Sequence, residues 1–268
     1  MNSGETKKMF RSSIAHTLTA RSLITRTLAL AALSIFTISC SPTNLTQVRV
    51  INAISDGPGL DVYFNGGKSF TNIAFTQVQP SPPIYSSIYS GQDTVEAYKS
   101  GTTTNPLFIY NGIGNSGQGT SGAIADLNGS TQYTVILDGL YAGPSLVVIR
   151  DNNAVPFEND EEFRVINASP HSPTGGVDVY IVPPSTEDLT NYTPQITGLG
   201  NGQGSTYQSL TYVSIGYNVM VTANGSKKAL ITELLTPNSQ SITTVVLVDN
   251  LGGLNGMSQT PLVLQDLN

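Results

Sequence analysis

Apolar and polar residues alternate along much of the chain after residue 40, with the period of two that a half-buried β-strand requires. Val48-Arg49-Val50 places both valines on one face of a strand and Arg49 on the other. Two later stretches carry an apolar residue at every second position: Leu60, Val62, Phe64 and Val177, Val179, Ile181. Since no stretch of eleven residues beyond residue 40 has convincing helical periodicity, the pattern predicts strands alone.

Turn signals separate these strands at short intervals. Asn65-Gly66, Asn128-Gly129 and Asn224-Gly225 are dipeptides that favour tight turns. Short strands with regular turns predict an all-β fold, with immunoglobulin-like β-sandwich domains. A small barrel is the alternative architecture.

The chain contains an internal repeat, which indicates a tandem duplication. Four blocks recur in the same order, with an offset near 115: Arg49–Ala53 with Arg164–Ala168, Leu60–Tyr63 with Val177–Tyr180, Tyr133–Asp138 with Thr244–Asp249, and Leu146–Ile149 with Leu262–Leu264. The predicted organisation is a signal peptide (1–39), a lipidated tether (40–46), β-sandwich repeat 1 (47–154), an acidic linker (155–162) and β-sandwich repeat 2 (163–268).

The N-terminal segment has the composition of an export signal. Five basic residues precede an apolar run of about a dozen residues, which is shorter than the roughly 20 that a membrane-spanning helix needs. The run ends at Thr37-Ile38-Ser39-Cys40, which resembles the lipobox of bacterial lipoproteins, although that motif usually has Leu where this chain has Thr37. An incidental cysteine beside an ordinary cleavage site is the alternative.

The lipobox resemblance implies that Cys40 is acylated. It also implies a membrane partner and a lipid-anchored, extracytoplasmic protein of the bacterial cell envelope. Ser41 in place of Asp resembles lipoproteins sent to the outer membrane. Acyl chains contribute about 0.8 kcal/mol for each buried CH₂, so several of them would hold the protein firmly.

The repeat openings resemble a known family. Arg164–Pro170, followed by Val177-Asp178-Val179-Tyr180, is similar to the domain of unknown function numbered 4397. That family occurs in bacterial surface and secreted proteins, often in tandem. Repeat 1 departs from the pattern, with Ile54-Ser55-Asp56-Gly57 after its opening. The resemblance implies an extracytoplasmic β module and carries over no active site.

Charge and composition exclude several classes of protein. The formal net charge is −6, and it becomes −10 once residues 1–39 are removed. An acidic surface repels phosphate backbones, which argues against nucleic acid as a partner. The single cysteine excludes an intrachain disulfide framework.

Eight charged or polar residues are retained in both repeats, and we interpret them as structural: Arg49, Asn52, Asp61, Tyr63, Arg164, Asn167, Asp178 and Tyr180. In a hairpin of the first two strands, Arg49 could pair with Asp61 or stack on Tyr63. Such an exposed pair would contribute roughly 0.2–1 kcal/mol. We expect Asn52 and Asn167 to hydrogen-bond the turns that follow them. The alternative is a calcium site in which Asp61 joins Asn52 or Asp56.

Candidate catalytic groups are few. His171 is the only histidine after the leader, and it has no counterpart in repeat 1. We interpret it as an exposed turn residue rather than a base beside Ser169 or Ser172. Zinc would need several His or Cys ligands, so we predict no metal and no cofactor. Paired carboxylates could still support glycoside hydrolysis.

Two glycine-rich tracts, 112–117 and 198–204, are interpreted as surface loops. The first has dinucleotide-binding spacing, but no helix can begin after it. Four tyrosines near loops and strand starts are candidates for a binding face: Tyr85, Tyr89, Tyr207 and Tyr212. The sequence therefore predicts a non-enzymatic envelope lipoprotein with a structural, adhesive or ligand-binding role toward a glycan or protein. A surface glycan-processing hydrolase and a calcium-stabilised binding module are the alternatives.

Overall fold

The computed structural model describes residues 45–81, 84–91, 94–111, 127–253 and 256–267, whose regular elements are all β-strands. In this described part of the chain, no helix could cross a membrane. Repeat 1 contains β1 (Leu45–Asn52), β2 (Leu60–Phe64), β3 (Gly67–Ile73), β4 (Val78–Gln79), β5 (Ser86–Tyr89), β6 (Thr94–Lys99), β7 (Phe108–Asn111), β8 (Gln132–Leu140) and β9 (Gly143–Arg150).

Repeat 2 contains nine further strands in the same order. They are β10 (Asp160–Ala168), β11 (Val177–Val182), β12 (Ile196–Leu199), β13 (Gln203–Gly204), β14 (Gln208–Thr211), β15 (Tyr217–Ala223), β16 (Ala229–Leu235), β17 (Ile242–Val248) and β18 (Leu262–Leu267). The all-β prediction is confirmed.

Each repeat folds into two sheets with the same topology. In repeat 1, β1 pairs in parallel with β8, β8 pairs with β9, and both β4 and β5 lie along the free edge of β1. The second sheet has the order β3-β2-β6-β7. Repeat 2 reproduces both sheets with β10 to β18. The predicted sandwich is therefore confirmed, twice over.

Alternation along β1 and β10 fills two different cores. Val48 and Val50 face the four-stranded sheet of repeat 1 and pack with Val62 and Val135. An equivalent core in repeat 2 contains Val165, Val179, Val221 and Val245. The predicted separation of the valines from Arg49 is confirmed.

The outward faces of the two five-stranded sheets pack on each other. Ile51 and Ile136 of repeat 1 share a buried cluster with Ile166 and Val246 of repeat 2. The parallel strands are thus covered on both sides, as such strands usually are. Both repeats belong to one compact structural unit, residues 44–268.

Strand register changes one of the sequence matches. Arg49 lies opposite Thr134, and Arg164 lies opposite Thr244, so these threonines are equivalent. The predicted alignment matches Thr244 with Tyr133 instead of Thr134, so it is wrong by one residue. Because a slip of one residue reverses the face of every side chain, Asp138 and Asp249 are not counterparts.

The linker is shorter than the sequence indicated. Strand β10 begins at Asp160, which pairs with Thr211 of β14, so residues 160–162 are part of the sheet. Glu161 consequently points inward and is 2% exposed. The prediction of an acidic linker over residues 155–162 is therefore wrong for Glu161, because strand alternation turns its side chain to the interior.

Candidate functional site

The retained arginines Arg49 and Arg164 lie in the contact between the repeats. Each is 1% exposed, and each projects from the outer face of its five-stranded sheet. The Nε of Arg49 donates to Thr134 Oγ1 at 2.8 Å, and the Nε of Arg164 donates to Thr244 Oγ1 at 2.8 Å. The two repeats therefore orient their arginines in the same way.

Each guanidinium pairs with a carboxylate of the other repeat. Arg49 Nη2 lies 2.6 Å from Asp266 Oδ1, and Arg164 Nη2 donates to Asp151 Oδ1. Longer contacts join Arg49 to Asp151 at 3.9 Å and Arg164 to Asp266 at 3.7 Å. We call these four residues the Arg–Asp cluster. Its two positive and two negative charges balance.

Electrostatics keep both arginines charged despite their burial. Burial disfavours the guanidinium of Arg49, but the charges of Asp266 and Asp151 outweigh it and raise the pKa of Arg49 above its ordinary value. The pKa of Arg164 is raised in the same way, with Asp151 opposing the effect of burial. A buried charge is tolerated only while it is paired.

Two tyrosines cover the cluster. The guanidinium of Arg49 lies 5.3 Å from the ring centre of Tyr85, and that of Arg164 lies 4.7 Å from the ring centre of Tyr207. The Tyr85 hydroxyl donates to Asp151 Oδ2 at 2.8 Å. Burial raises the pKa of both phenols, so both hydroxyls remain protonated. These rings add cation–π attraction to the ion pairs.

A pocket of about 380 Å³ opens beside Arg164, between the repeats. Residues 149–152 of repeat 1 form one wall, and Ser205, Thr206 and Tyr207 form the other. Asp151 and Arg164 form its floor, where both are nearly buried. The pocket therefore presents hydroxyl, amide and aromatic groups above a fixed, neutral ion pair.

A smaller pocket of about 260 Å³ opens beside Arg49. It occupies the equivalent position, because Leu264 and Gln265 stand where Ile149 and Arg150 stand in the larger pocket. Its opposite wall is formed by Val78, Pro80, Ser81 and Ile84, without an aromatic ring. The two pockets thus share a position but differ in chemistry.

Asp61 does not pair with Arg49, so that prediction is wrong. Its Oδ2 accepts from Lys68 Nζ at 2.6 Å, and its Oδ1 accepts from the backbone N–H of Asn72 at 2.8 Å. Gly101 N–H adds a third bond at 3.2 Å. Burial opposes ionisation, but these donors outweigh it and lower the pKa of Asp61 to about 2.

Asp178 has an equivalent role in repeat 2. Its two oxygens accept from the backbone N–H groups of Gly198 at 2.9 Å and Gly225 at 2.8 Å. Both aspartates thus join a neighbouring strand and a turn to the start of their own strand, with donors where calcium would need free oxygens. Within the described residues, no group of three or more His, Cys, Asp or Glu side chains is placed to hold a metal ion.

The retained asparagines hydrogen-bond the chain that follows them. Asn52 Oδ1 accepts from Ile54 N–H at 3.0 Å, and Asn167 Oδ1 accepts from Ser169 N–H at 3.2 Å. Their amide groups donate to the carbonyls of Ile73 and Leu199, at 2.9 and 3.0 Å. They stabilise corners of the sandwiches.

The retained tyrosines lie on the four-stranded sheets, Tyr63 on β2 and Tyr180 on β11. Tyr63 packs edge-on against Tyr98 with ring centres 5.1 Å apart, and Lys68 lies 5.4 Å from its ring centre. Tyr180 is buried, with Lys227 4.8 Å from its ring centre. Neither ring contacts an arginine of the Arg–Asp cluster, so the predicted stacking of Arg49 on Tyr63 is wrong.

His171 has a partner that the sequence did not indicate. Its side chain is 39% exposed, and its Nδ1 lies 2.5 Å from Asp249 Oδ2, while Ser169 Oγ donates to Asp249 Oδ1. The carboxylate therefore stands between the serine and the histidine. A nucleophilic triad needs the histidine in the middle position, so this arrangement does not activate Ser169.

Two further carboxylates, Asp138 and Glu161, are buried. Burial raises the pKa of Asp138 to about 6, and the charge of Asp249 adds to the effect, while hydrogen bonding with Gly139, Asn201 and Ser145 opposes it. Burial alone raises the pKa of Glu161 to about 7. Both side chains are no more than 2% exposed, which places them out of reach of a polymeric substrate.

Several sequence predictions concern other places in the chain. Cys40, the leader and the glycine tract 112–117 lie outside the described residues. Within the tract 198–204, only residues 200–202 form the turn between β12 and β13, so the interpretation as a surface loop is wrong for the two ends, which belong to those strands. Of the candidate tyrosines, Tyr85 and Tyr207 lie at the Arg–Asp cluster, whereas Tyr89 is exposed opposite Leu45, and Tyr212 N–H bonds to the Asn159 carbonyl.

Sequence reasoning missed the partners of the arginines. Neither Asp151 nor Asp266 is among the candidate residues that the sequence indicated. The available signal was their common spacing, because each aspartate lies 102 residues after the arginine of its own repeat. The equivalence of Thr134 and Thr244 was missed because the alignment of the repeats was wrong by one residue.

Comparison with known proteins places the sequence in a family. The profile described as "Domain of unknown function (DUF4397)" matches residues 46–180. The chain belongs to the DUF4397 family. The match spans repeat 1 and extends through the first strand of repeat 2 into β11, so the DUF4397 profile covers the Arg164–Pro170 opening. No curated protein matches this DUF4397 chain.

Two solved structures share weak similarity with this DUF4397 protein. One is a family CBM26 module from Eubacterium rectale in complex with maltoheptaose, with 10% identity, a TM-score of 0.23, and coverage of 82% of this chain and 96% of that chain. The other is a leucine-rich repeat protein from Bacteroides thetaiotaomicron, with 12% identity, a TM-score of 0.15, and coverage of 78% and 26%. Both TM-scores are too low for either structure to indicate what this chain binds.

Proposed function

We propose that this DUF4397 protein is a non-enzymatic lipoprotein of the bacterial cell envelope, whose joined β-sandwich repeats bind a glycan in the pocket beside Arg164. The observation that carries the proposal is the pocket itself, which is formed by both repeats over the Arg–Asp cluster. A preformed concave site with a few fixed polar groups is typical of ligand binding.

The lining of the pocket suits hydroxyl-rich ligands. Asn152 and Thr206 are exposed at its rim, where they can exchange hydrogen bonds with sugar hydroxyls. The partly exposed ring of Tyr207 offers an apolar surface for the C–H face of a sugar ring. A protein ligand is the second candidate, and it would be distinguished by insensitivity to added oligosaccharide.

The state of the charged groups favours binding over catalysis. Asp151 accepts from Thr134, Tyr85 and Arg164, so its oxygens are already occupied by donors. A guanidinium cannot act as a general base or acid near neutral pH, because it stays protonated there. Glycoside hydrolysis needs a second carboxylate in the same cleft, and Asp151 is the single carboxylate among the residues lining this pocket.

Binding is tested by titrating the full-length protein with oligosaccharides from an array screen. We expect Tyr207→Ala to weaken the affinity about tenfold, in the range of a central aromatic contact. Tyr89→Ala is the control, because it removes an exposed tyrosine ring that does not line this pocket. Equal affinities for wild type, Y207A and Y89A would contradict the proposed site.

The anchor is tested at Cys40, the chain's single cysteine. Metabolic labelling with a palmitate analogue should label the wild-type protein and a Ser41→Ala control but not Cys40→Ser. We also expect C40S to leave the high-salt-washed membrane fraction. An unlabelled wild-type protein would overturn the lipoprotein part of the proposal and leave the glycan site to be judged on its own.

A further inference from the structure

We infer that the two sandwiches dock on a lipid surface at one end, the end at which β1 and β10 begin. The contact is made by a rim of exposed apolar side chains. This rests on the proposed lipid anchor at Cys40. The apolar rim consists of Leu45, Tyr89, Val155, Phe157, Val213 and Ile215, and these residues are all exposed.

Backbone pairing places these residues at one end of the repeats. Tyr89 lies opposite Leu45 at the start of β1. Val155 and Phe157 precede β10, and the Phe157 carbonyl accepts from Asp160 N–H. The loop that carries Val213 and Ile215 follows β14, whose last residue pairs with Asp160.

The starts of β1 and β10 are themselves close. Gln47, the third residue of β1, lies opposite Gln132. The Gln132 carbonyl accepts from Asp151 N–H, and the next residue, Asn152, contacts Glu162 Oε2 at 3.4 Å. Since Glu162 is the third residue of β10, the two strands begin at the same end.

Apolar exposure is concentrated at this end. Phe157 is 86% exposed and Ile215 is 66% exposed, although neither contributes to a core. Six of the eleven large hydrophobic side chains exposed among the described residues belong to the apolar rim. A concentration of exposed apolar side chains at one end of a molecule is typical of an interaction surface.

The length of the tether selects a lipid surface as the occupant. Cys40 precedes Leu45 by five residues, so even a fully extended chain keeps the start of β1 within about 18 Å of an acylated cysteine. A compact unit of this length has a radius of gyration of about 17 Å. The tether therefore keeps the start of β1, and with it the apolar rim, closer to the membrane than the opposite end of the strands.

Charge beside the rim restricts the lipid. Glu158 and Asp160 lie among the apolar residues, and Arg150 is the nearest base in this segment. Negative side chains give no attraction to anionic headgroups. The rim should therefore dock on phosphatidylcholine vesicles at least as well as on vesicles containing anionic lipid.

The chain has no tryptophan, so single-tryptophan variants report on one position each. The experiment uses full-length protein reconstituted in phosphatidylcholine vesicles with bromine-labelled acyl chains. We compare Phe157→Trp and Ile215→Trp with Leu251→Trp, a control at the opposite end that is 78% exposed. All three sites are on the surface, and thermal melts check that the variants fold.

We expect the rim variants to be quenched about two-fold or more relative to Leu251→Trp, because interfacial side chains reach about 5–10 Å into the boundary region. Equal quenching at all three positions would overturn the inference. A blue-shifted spectrum of F157W without vesicles would also overturn it, since a second copy of the chain would then cover the rim.

Mass spectrometry of the N-terminal peptide separates this inference from the lipoprotein proposal. An acylated Cys40 with an unquenched rim would refute docking alone. A chain without acyl groups would refute the anchor, and quenching of protein added to preformed vesicles would then decide whether the rim binds lipid by itself.

Discussion

At the scale of single residues, Glu161 shows how one position can differ between two copies of a fold. Thr46 is the equivalent residue of repeat 1, where its hydroxyl donates to the Thr131 carbonyl at 2.9 Å. Glu161 lies instead against Phe163 and Leu210, with no hydrogen bond to either oxygen. Burial therefore favours the protonated carboxyl, and raises its pKa to about 7.

This shift predicts a loss of stability as the pH rises. The folded protein keeps a proton that the unfolded chain releases near its ordinary pKa of 4.5. The contribution of Glu161 to the free energy of unfolding is therefore greatest below about pH 4.5 and falls until about pH 7, by roughly 3 kcal/mol. Glu161→Gln should melt like the wild type at pH 4.5 and be more stable at pH 8.

Glu158→Gln is the control for this measurement, because Glu158 is an exposed acid of the same segment. Asp61, with its pKa of about 2, stays ionised across this range. Asp138 titrates near pH 6 in both proteins and cancels in the difference. An E161Q protein whose stability keeps the wild-type pH dependence would contradict the assignment.

At the scale of elements, the turn from β14 to β15 depends on a glycine for two reasons. Gly216 has a φ of +76°, which side chains rarely adopt. A Cβ atom built there would also lie 2.0 Å from the Leu235 carbonyl oxygen at the end of β16. The close approach of two backbones thus adds to the requirement of the turn.

A matched pair of glycines separates these two causes. Gly66, in the Asn65-Gly66 turn, has the same φ of +76° and open space around its Cβ position. We expect Gly66→Ala to cost about 1 kcal/mol from backbone conformation alone. Gly216→Ala should cost at least about 3 kcal/mol by chemical denaturation. Equal costs would show that the contact with Leu235 relaxes freely.

The strands and turns were predictable from the sequence because their causes are local. Val48 and Val50 alternate with Arg49, and Asn65-Gly66 takes the positive φ angles that close the β2–β3 hairpin. The duplication was visible in the repeated Arg-Val-Ile-Asn-Ala block. Each of these signals lies within a few residues of the feature it predicts.

The candidate site was not predictable, because its contacts join distant positions. The partner of Arg49 is Asp266, which lies on the last strand of the other repeat. Alternation shows that Arg49 points away from the valines, but it does not show that a second sheet covers that face. Asp61 is the nearest acid across a hairpin, but Lys68 and the backbone N–H groups of Asn72 and Gly101 already bind its oxygens.

At the scale of the whole molecule, the Arg–Asp cluster couples the stabilities of the two repeats. Arg164→Ala would leave Asp151 buried without its guanidinium partner. Breaking a buried pair from one side costs about 3–5 kcal/mol, well above the small cost expected of an exposed pair. Because the arrangement is reciprocal, Arg49→Ala should cost a similar amount.

Calorimetry and hydrogen exchange check this coupling. Either variant should unfold in a single transition at a lower temperature, and amide protection should decrease in both repeats. Lys227→Ala is a control, since it removes a cation from the exposed side of repeat 2. Two separate transitions in the arginine variants, with one repeat unchanged, would show that the sandwiches are independent.

Face-to-face packing of the five-stranded sheets limits how such a chain can grow. The five-stranded sheet of each repeat has one face that carries an arginine and a row of isoleucine and valine side chains. These two faces pack against each other. Reciprocal contacts of this kind close on themselves. A third repeat joined to this polypeptide would have no free sheet face to pack against, and it would expose its arginine and isoleucines to water. Duplication of this unit therefore favours chains with an even number of repeats.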